Sequence, residues 1–157
     1  MKLSIVSPSY KEVKNLDDFT AQIQETLIYK VEDFEIIIVD DNSEDGSEEI
    51  LKKLEKKYQN FRYFIRKKLP RDLSQSCLLG FENTKFNNIL VLDCDLQHNP
   101  SDINRLIDNY EKSNFNIVVG ARKIFSRIHG LSIFRQIASI LIILIFNTLL
   151  KLSLIHI

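Results

Sequence analysis

The stretch VLDCDLQHNP, residues 91–100, places two carboxylates one residue apart directly after an apolar run. Side chains alternate along an extended strand end, so Asp93 and Asp95 are expected on the same side. Gln97 continues this parity and would supply a third oxygen, whereas His98 is out of phase. Hard oxygen ligands suit Mg²⁺ or Mn²⁺, which take one or two protein carboxylates and leave other positions to water and phosphate. The stretch therefore predicts a divalent metal site formed by Asp93, Asp95 and Gln97.

The same residues have a simpler interpretation. Short Asp-X-Asp triplets are common by chance, and polar residues after a strand often only cap the next helix. Pro100 and Ser101 have the character of a helix start, so His98 or Asn99 would serve as the cap. The triplet alone therefore leaves both interpretations open.

A second acidic loop, DDNSEDGS at residues 40–47, follows another apolar run. Asp45, Gly46 and Ser47 are expected to form a turn and to cap the next helix. Capping does not explain Asp40 and Asp41, which lie at the strand end itself. Aspartates brought together from two loops repel one another unless a cation or a hydrogen-bond donor compensates them. The second loop therefore strengthens the prediction of a cation at this edge.

Short β-branched runs alternate with amphipathic stretches along the chain. The runs predict strands at residues 3–7, 35–39, 61–65, 88–92 and 116–120, and the stretches predict helices at about 15–29, 45–58, 74–85 and 101–112. This alternation predicts an α/β fold, a mostly parallel sheet with helices on both faces. Ligands of such sheets bind outside the carboxyl ends of the strands, where both acidic loops are expected.

Composition limits the partners. The 157 residues contain 21 basic and 21 acidic side chains, so no overall basic field indicates a nucleic-acid partner. Cys77 and Cys94 fit neither a zinc spacing nor a disulfide framework and are expected to be small buried side chains in a cytosolic protein. The first ten residues, punctuated by Pro8, do not have the pattern of a signal peptide.

Four motifs occur in order: SIVSPSYKE, EIIIVDDNSEDGS, ILVLDCDLQHNP and IVVGAR. Together they resemble the family 2 glycosyltransferases of the GT-A fold, within which the chain looks most like the polyprenyl-phosphate sugar transferases of the dolichyl-phosphate mannosyltransferase group. The resemblance implies an inverting, metal-dependent hexosyltransferase. Its donor would be a nucleotide-diphosphate sugar of the GDP-mannose or UDP-glucose type, and its acceptor a polyprenyl phosphate at the cytosolic face of a membrane.

The resemblance also implies roles for single residues. Pro8, Tyr10 and Glu12 would line the nucleoside, Asp40 would contact the base or ribose with Asp41 beside it, and Asp93, Asp95 and Gln97 would hold Mg²⁺ or Mn²⁺. Basic residues would face phosphate, as suits a planar, permanently charged guanidinium. These are Arg71, Arg122 and Arg135, of which Arg122 and Arg135 are expected, with Asp95, to take part in catalysis.

One loop departs from the family pattern. Similar enzymes have a glycine-rich loop after a basic residue, and here the corresponding stretch is RDLSQSCLLG at residues 71–80. Leu73 and Ser74 stand where flexible glycines are expected. Since glycine permits backbone conformations that these residues resist, a poorer fit of the donor diphosphate is expected.

The C-terminal part is apolar. Residues 1–130 are expected to form the nucleotide-sugar domain, and residues 131–157 an apolar helix of a truncated chain. The strongly apolar stretch at 137–150 is shorter than the roughly 20 residues of a spanning helix, which favours a helix lying on an anionic membrane surface. A core helix packed on the sheet is the alternative. Two other functions also remain open, a transferase with a soluble glycan or protein acceptor and an inactive nucleotide-sugar-binding fragment.

Overall fold

The computed structural model describes residues 1–97, 100–113 and 115–120. Four of the five predicted strands and all four predicted helices are present, and they alternate along the described part of the chain. The strands are β1 (Lys2–Ser9), β2 (Asp33–Asp40), β3 (Phe61–Ile65) and β4 (Ile89–Val91). The helices are α1 (Leu16–Leu27), α2 (Ser47–Lys57), α3 (Leu73–Glu82) and α4 (Pro100–Lys112).

The four strands form one parallel sheet in the order β3-β2-β1-β4. β1 pairs with β2 along its whole length, from Lys2 opposite Asp33 to Ser9 opposite Asp40. On its other side β1 pairs with β4, where Val6 lies opposite Val91. The strands therefore end together, and the loops that follow β1, β2, β3 and β4 meet at one edge.

Each face of the sheet is covered by helices because both faces of the two central strands are apolar. Leu3 and Ile5 of β1, with Ile36 and Ile38 of β2, belong to a buried cluster that also contains apolar side chains of α1, α2 and α4. The adjacent side chains point the other way, toward α3, which packs on β1 and β2. Both faces of β1 and β2 are therefore buried, so nearly every residue of the two strands is buried rather than every second one.

α3 approaches the sheet closely at Gly80. A Cβ built at this position would lie 2.3 Å from Cγ1 of Val6 and 3.4 Å from Cγ2 of Val39. Any larger side chain would push the helix away from the two central strands. Gly80 therefore sets the depth at which α3 packs, and with it the position of the loop that precedes this helix.

The fifth predicted strand, at residues 116–120, is wrong. Residues 115–120 contain no strand. Phe115, Ile117 and Val119 are 60%, 78% and 78% exposed. Their β-branched and aromatic pattern suits a strand, but strand formation depends on a neighbour to pair with, which the pattern does not report.

The structure also shows the predicted turn before α2 and the burial of the two cysteines. The turn at residues 45–47 is present, and Asp45 accepts hydrogen bonds from the N–H (3.0 Å) and the hydroxyl (2.6 Å) of Ser47, the first residue of α2. Cys94 is buried, and Cys77 is half-buried.

The described residues belong to one compact unit, Met1–Gly120. The predicted division at residues 130 and 131, and the apolar helix after it, lie outside the described residues. Within the described part, no helix has the length and hydropathy required to cross a bilayer.

Candidate functional site

An open cavity of ≈ 250 Å³ lies at the carboxyl edge of the sheet. Loops from three strands line it. The lining residues are Pro8, Ser9 and Tyr10 from β1 and its loop, Asp41 after β2, and Arg71, Asp72, Leu73 and Ser76 before and within α3. Four residues that the sequence predicts for donor binding, Pro8, Tyr10, Asp41 and Arg71, therefore share one cavity.

Tyr10 presents an aromatic face flanked by cations. The guanidinium carbon of Arg71 lies 4.8 Å from the centre of the Tyr10 ring, and Nζ of Lys11 lies 5.4 Å from it. Both distances fall within the range of a cation–π interaction. Lys11 has a φ of 60°, and its N–H donates to Oγ of Ser43 at 2.8 Å. The loop after β1 is thus tied to the loop after β2.

Asp40 is buried at the end of β2 and supports this tie. Both of its carboxylate oxygens accept hydrogen bonds from Ser43, one from the N–H (2.8 Å) and one from the hydroxyl. Burial raises the pKa of Asp40 against these hydrogen bonds, and the nearby charges of Asp45 and Asp41 raise it further. Asp40 therefore shapes two loops here, while its predicted contact with a base or ribose stays a prediction.

Asp41 is engaged within the protein. Nη2 of Arg66 lies 2.8 Å from Oδ1 and 3.1 Å from Oδ2 of Asp41, and the N–H of Asp72 donates to Oδ2 at 2.7 Å. The side chains of Arg66 and Asp41 are 9% and 7% exposed, so the ion pair is buried. Sequence reasoning did not select Arg66. Its position directly after β3, at the carboxyl edge of the sheet, was the available signal.

The chain between β3 and α3 follows a path that requires no glycine. Among residues 66–82 no residue has a positive φ, so Leu73 and Ser74 adopt their conformations without the left-handed backbone that favours glycine. Asp72 caps α3, because its side chain accepts a hydrogen bond from the N–H of Gln75 at 3.1 Å. The departure from the glycine-rich pattern is therefore accommodated in the backbone of this loop.

The Asp93–Asp95 stretch follows β4 and enters a turn at residues 94 and 95, so it is not an extended strand end. Cys94 is buried in the core, while Asp93 is exposed and Asp95 is half-buried. Oδ1 of Asp95 accepts a hydrogen bond from the N–H of Gln97 at 3.0 Å. Asp93 makes no hydrogen bond or ion pair with another described residue.

The pKa values of two cysteine thiols are raised by these carboxylates. Burial raises the pKa of the Cys94 thiol, and the carboxylates of Glu12, Asp93 and Asp95 raise it further. Burial also raises the pKa of the Cys77 thiol of α3, with a further contribution from Asp93. Three predicted site residues are therefore close enough to one buried thiol to raise its pKa, and Asp93 does the same for a thiol of the helix that borders the cavity.

The residues present fit a hard divalent cation. Asp93 and Asp95 supply carboxylate oxygens on either side of a buried residue in the sequence, and Glu12 adds negative charge nearby. Two carboxylates with open positions for water and phosphate are a common Mg²⁺ or Mn²⁺ arrangement. Among the described residues no group of three or more His, Cys, Asp and Glu side chains forms a metal site by itself. The side-chain amide of Gln97 is a further oxygen donor in the same stretch. His98, Arg122 and Arg135 lie outside the described residues.

The chain is similar in sequence to known glycosyltransferases. The profile of glycosyl transferase family 2 matches residues 4–149. A dolichol-phosphate mannosyltransferase of Pyrococcus furiosus is 34% identical over 122 residues, which are 78% of this chain and 33% of that protein. A dolichol-phosphate mannosyltransferase of Saccharomyces cerevisiae is 30% identical over 118 residues, 74% of this chain and 44% of that protein.

Solved structures share the fold. The mannosyltransferase PcManGT of Pyrobaculum calidifontis, in complex with GDP-Man and Mn²⁺, superimposes with a TM-score of 0.58 at 14% identity, covering 67% of this chain and 31% of that one. Residues 1–349 of TarS from S. aureus, in complex with UDP-GlcNAc, give a TM-score of 0.57 at 23% identity, covering 71% and 32%. The predicted GT-A fold is confirmed.

The chain spans between a third and a half of the length of the curated relatives it matches. The family profile nevertheless covers most of the chain, including β1 to β4 and both acidic loops. The protein belongs to glycosyl transferase family 2.

Proposed function

We propose that this chain carries the donor-binding part of an inverting glycosyltransferase that moves a hexose from a nucleotide-diphosphate sugar to a polyprenyl phosphate. The observation that carries the proposal is the juxtaposition at one sheet edge of two features. One is a cavity with an aromatic face and a guanidinium, at Tyr10 and Arg71. The other is the Asp93–Asp95 pair that directly follows β4, the neighbour of β1.

The chemistry of a nucleotide-sugar matches these two features. A base has a flat face that stacks on an aromatic ring, and a diphosphate is bound by guanidinium groups and by divalent cations. The two relatives described above are named for mannosyl transfer to dolichol phosphate, which supports mannose as the sugar and a lipid phosphate as the acceptor. Such an acceptor would place the enzyme at the cytosolic face of a membrane.

The reaction would be a direct displacement. An oxygen of the acceptor phosphate attacks the anomeric carbon, the bond from that carbon to the β-phosphate oxygen breaks, and the nucleoside diphosphate leaves with the bonding electrons. The acceptor oxygen is already ionised near neutral pH, so no general base is required. Tyr10 and the loop after β1 would hold the nucleoside, and Arg71, which lies against the Tyr10 ring, would orient the donor from the same wall of the cavity.

Asp93, Asp95 and Gln97 would hold Mg²⁺ or Mn²⁺, which supplies positive charge that stabilises the leaving diphosphate. Arg122 and Arg135 are proposed, on the family pattern, to face the same phosphates. Domain organisation follows the same pattern, with residues 1–130 forming the nucleotide-sugar domain and residues 131–157 an apolar membrane-surface segment.

Calorimetric titration of the whole chain with GDP-mannose and with UDP-glucose tests the donor site. We expect one of the two to bind in the presence of Mn²⁺ and to lose affinity when a chelator is added. Asp95→Asn should weaken Mn²⁺-dependent binding by about 10- to 100-fold, as expected for damage to a metal site. The asparagine amide oxygen can still accept the Gln97 N–H, so the loop should keep its conformation.

Asp18→Asn is the matched control, because Asp18 is an exposed aspartate in the first turn of α1 and the charge change is the same. It should bind the donor as the unmodified chain does. Equal binding by Asp95→Asn and the unmodified chain would overturn the metal assignment. Absence of binding to every nucleotide-sugar would overturn the donor site itself. Transfer to a soluble glycan, with none to polyprenyl phosphate, would replace the lipid acceptor.

A further inference from the structure

Arg66 is a buried arginine that holds the connection between β3 and α3 to the end of β2. Its backbone N–H donates to the carbonyl of Asp40 at 2.8 Å, which continues the β2–β3 pairing by one residue. Its Nη2 contacts both carboxylate oxygens of Asp41 and donates to the carbonyl of Pro70 at 2.8 Å. One guanidinium therefore joins the β2 loop to the middle of the next connection.

Asp41 binds both ends of that connection. Its carboxylate pairs with Arg66, where the connection begins, and accepts the N–H of Asp72, where it ends at the cap of α3. Residues 66–72 are thus closed into a loop by a single carboxylate. The loop cannot move away from β2 without exposing or unpairing a buried charge, which is energetically costly.

Arg71 lies inside this closed loop and faces the cavity. Its Nε donates to the carbonyl of Asp41 and its Nη2 to the carbonyl of Asn42, each at 3.3 Å. Its guanidinium carbon is 4.8 Å from the Tyr10 ring centre. Arg71 is exposed, so its own burial contributes little to fixing it. Its place in the cavity wall depends on the backbone that Arg66 and Asp41 hold.

We propose that Arg66 and Asp41 are positioning residues of the donor site, which fix residues 66–72 so that Arg71 and Tyr10 form one wall of the nucleotide cavity. The inference rests on the proposed function and deepens it. It also changes the role predicted for Asp41, which acts on the donor through Arg71 and the loop rather than by direct contact.

Arg66→Lys tests the proposal because it keeps the positive charge and removes the planar guanidinium. A lysine ammonium is a point charge that lacks the planar fork of arginine, so it would not hold Asp41 and the Pro70 carbonyl in the same geometry. We expect the dissociation constant for the nucleoside diphosphate that binds best, GDP or UDP, to rise by about tenfold, equivalent to about 1.4 kcal/mol.

Arg62→Lys is the matched control. Nη2 of Arg62 donates to Oε2 of Glu35 at 2.6 Å and to the carbonyl of Asn83, so this arginine also joins a buried β2 carboxylate to a backbone carbonyl next to α3. It does so at the end of the sheet away from the cavity. Arg62→Lys should change stability to urea and leave the dissociation constant for the nucleotide unchanged.

A binding cycle with Arg71→Ala separates positioning from general stability. If Arg66 acts through Arg71, Arg66→Lys should weaken nucleotide binding by about tenfold in the original chain and by less than about twofold when Arg71 is already alanine. A purely structural role would give the same factor in both backgrounds. If Arg66→Lys does not fold, Asp41→Asn replaces it in the same comparison with Arg71→Ala. Its amide oxygen can still accept the Asp72 N–H.

The outcomes are distinct. Binding by the original chain with no change in Arg66→Lys or Asp41→Asn would overturn the positioning role and leave the donor site intact. An equal fold-change in the dissociation constant from Arg66→Lys, whether residue 71 is arginine or alanine, would overturn the positioning role as well. No nucleotide binding by the original chain would overturn the proposed function together with this inference.

Discussion

A buried carboxylate paired with an arginine occurs at both ends of the sheet, but the two ends differ in the balance of charge around it. At each end β2 or its loop carries a buried carboxylate, Glu35 at the amino end and Asp41 at the carboxyl end. Each pairs with an arginine in or directly after β3, Arg62 or Arg66. Each arginine also donates to a backbone carbonyl close to one end of α3.

Two buried carboxylates of β2 itself, Glu35 near its amino end and Asp40 at its carboxyl end, have different surroundings. Glu35 accepts hydrogen bonds from Ser4, Lys85 and Arg62, which together outweigh its burial and lower its pKa. At the carboxyl end the pKa of Asp40 is instead raised, by burial and by the neighbouring aspartates. One end is internally neutralised, while the other carries a surplus of carboxylates. The comparison indicates that the paired charges at the amino end stabilise the fold, whereas the surplus at the carboxyl end suits an external cation.

The largest expected effect comes from removing one charge of each pair. Arg66→Met leaves Asp41 buried without its partner and should lower the free energy of unfolding by about 3–5 kcal/mol. Arg62→Met should cost less, because the Arg62 side chain is 30% exposed and Glu35 keeps its bonds from Ser4 and Lys85. Urea denaturation of both variants measures the difference. An equal or larger loss in Arg62→Met would contradict the ranking of the two ends.

A smaller effect is expected from the helix that lies between the two pairs. Gly80→Ala introduces a Cβ 2.3 Å from Val6. Overpacking costs about 1–3 kcal/mol, and the higher helix propensity of alanine returns up to about 1 kcal/mol, so a net destabilisation of about 1–2 kcal/mol is expected in urea. Gly120→Ala is the control, since its Cβ would lie 3.7 Å from the nearest atom, an ordinary contact. Equal stability of Gly80→Ala and the original chain would show that α3 moves freely on the sheet.

The acid dependence of stability should show the contribution of the amino end. Because the pKa of Glu35 is lowered in the folded state, its ionised form stabilises the fold above the ordinary glutamate value of about 4.3. That contribution is lost as pH falls through the lower, folded value. Glu35→Gln should therefore reduce stability at neutral pH and differ less from the original chain in acid. A difference that stays constant down to about pH 3 would contradict the assignment.

The smallest effect, of opposite sign, is expected from Asp40. Its pKa is raised, so its ionised form disfavours the fold at neutral pH, and the penalty is relieved as pH falls through the folded value toward about 3.9. Asp40→Asn carries no such penalty. Relative to the original chain it should gain more, or lose less, at pH 7 than at pH 4. Urea titrations at the two pH values test this, and a larger loss of stability by Asp40→Asn at pH 7 than at pH 4 would show that Asp40 behaves as Glu35 does.

Much of this architecture could be predicted from the sequence. Apolar runs indicated β1 to β4, and the predicted helices agree with α1 to α4 to within a few residues. Periodicity could not show whether Ile117 and Val119 have a strand to pair with, and the fifth strand was therefore wrong. The gathering of Pro8, Tyr10, Asp41 and Arg71 followed from the shared edge of parallel strands. The internal pairing of Asp41 did not, because a pattern of residue types does not show which charge is buried against which.

The arrangement of the cavity along the chain has a consequence for protein engineering. Its lining residues all lie between Pro8 and Ser76, whereas the Asp93–Asp95 pair comes later, after α3 and β4. Nucleotide preference is thus expected to reside in one contiguous segment, separate in sequence from the residues proposed to bind the cation. Exchange of that segment between related enzymes as a single cassette should transfer the choice of nucleotide while leaving the cation ligands of the recipient in place.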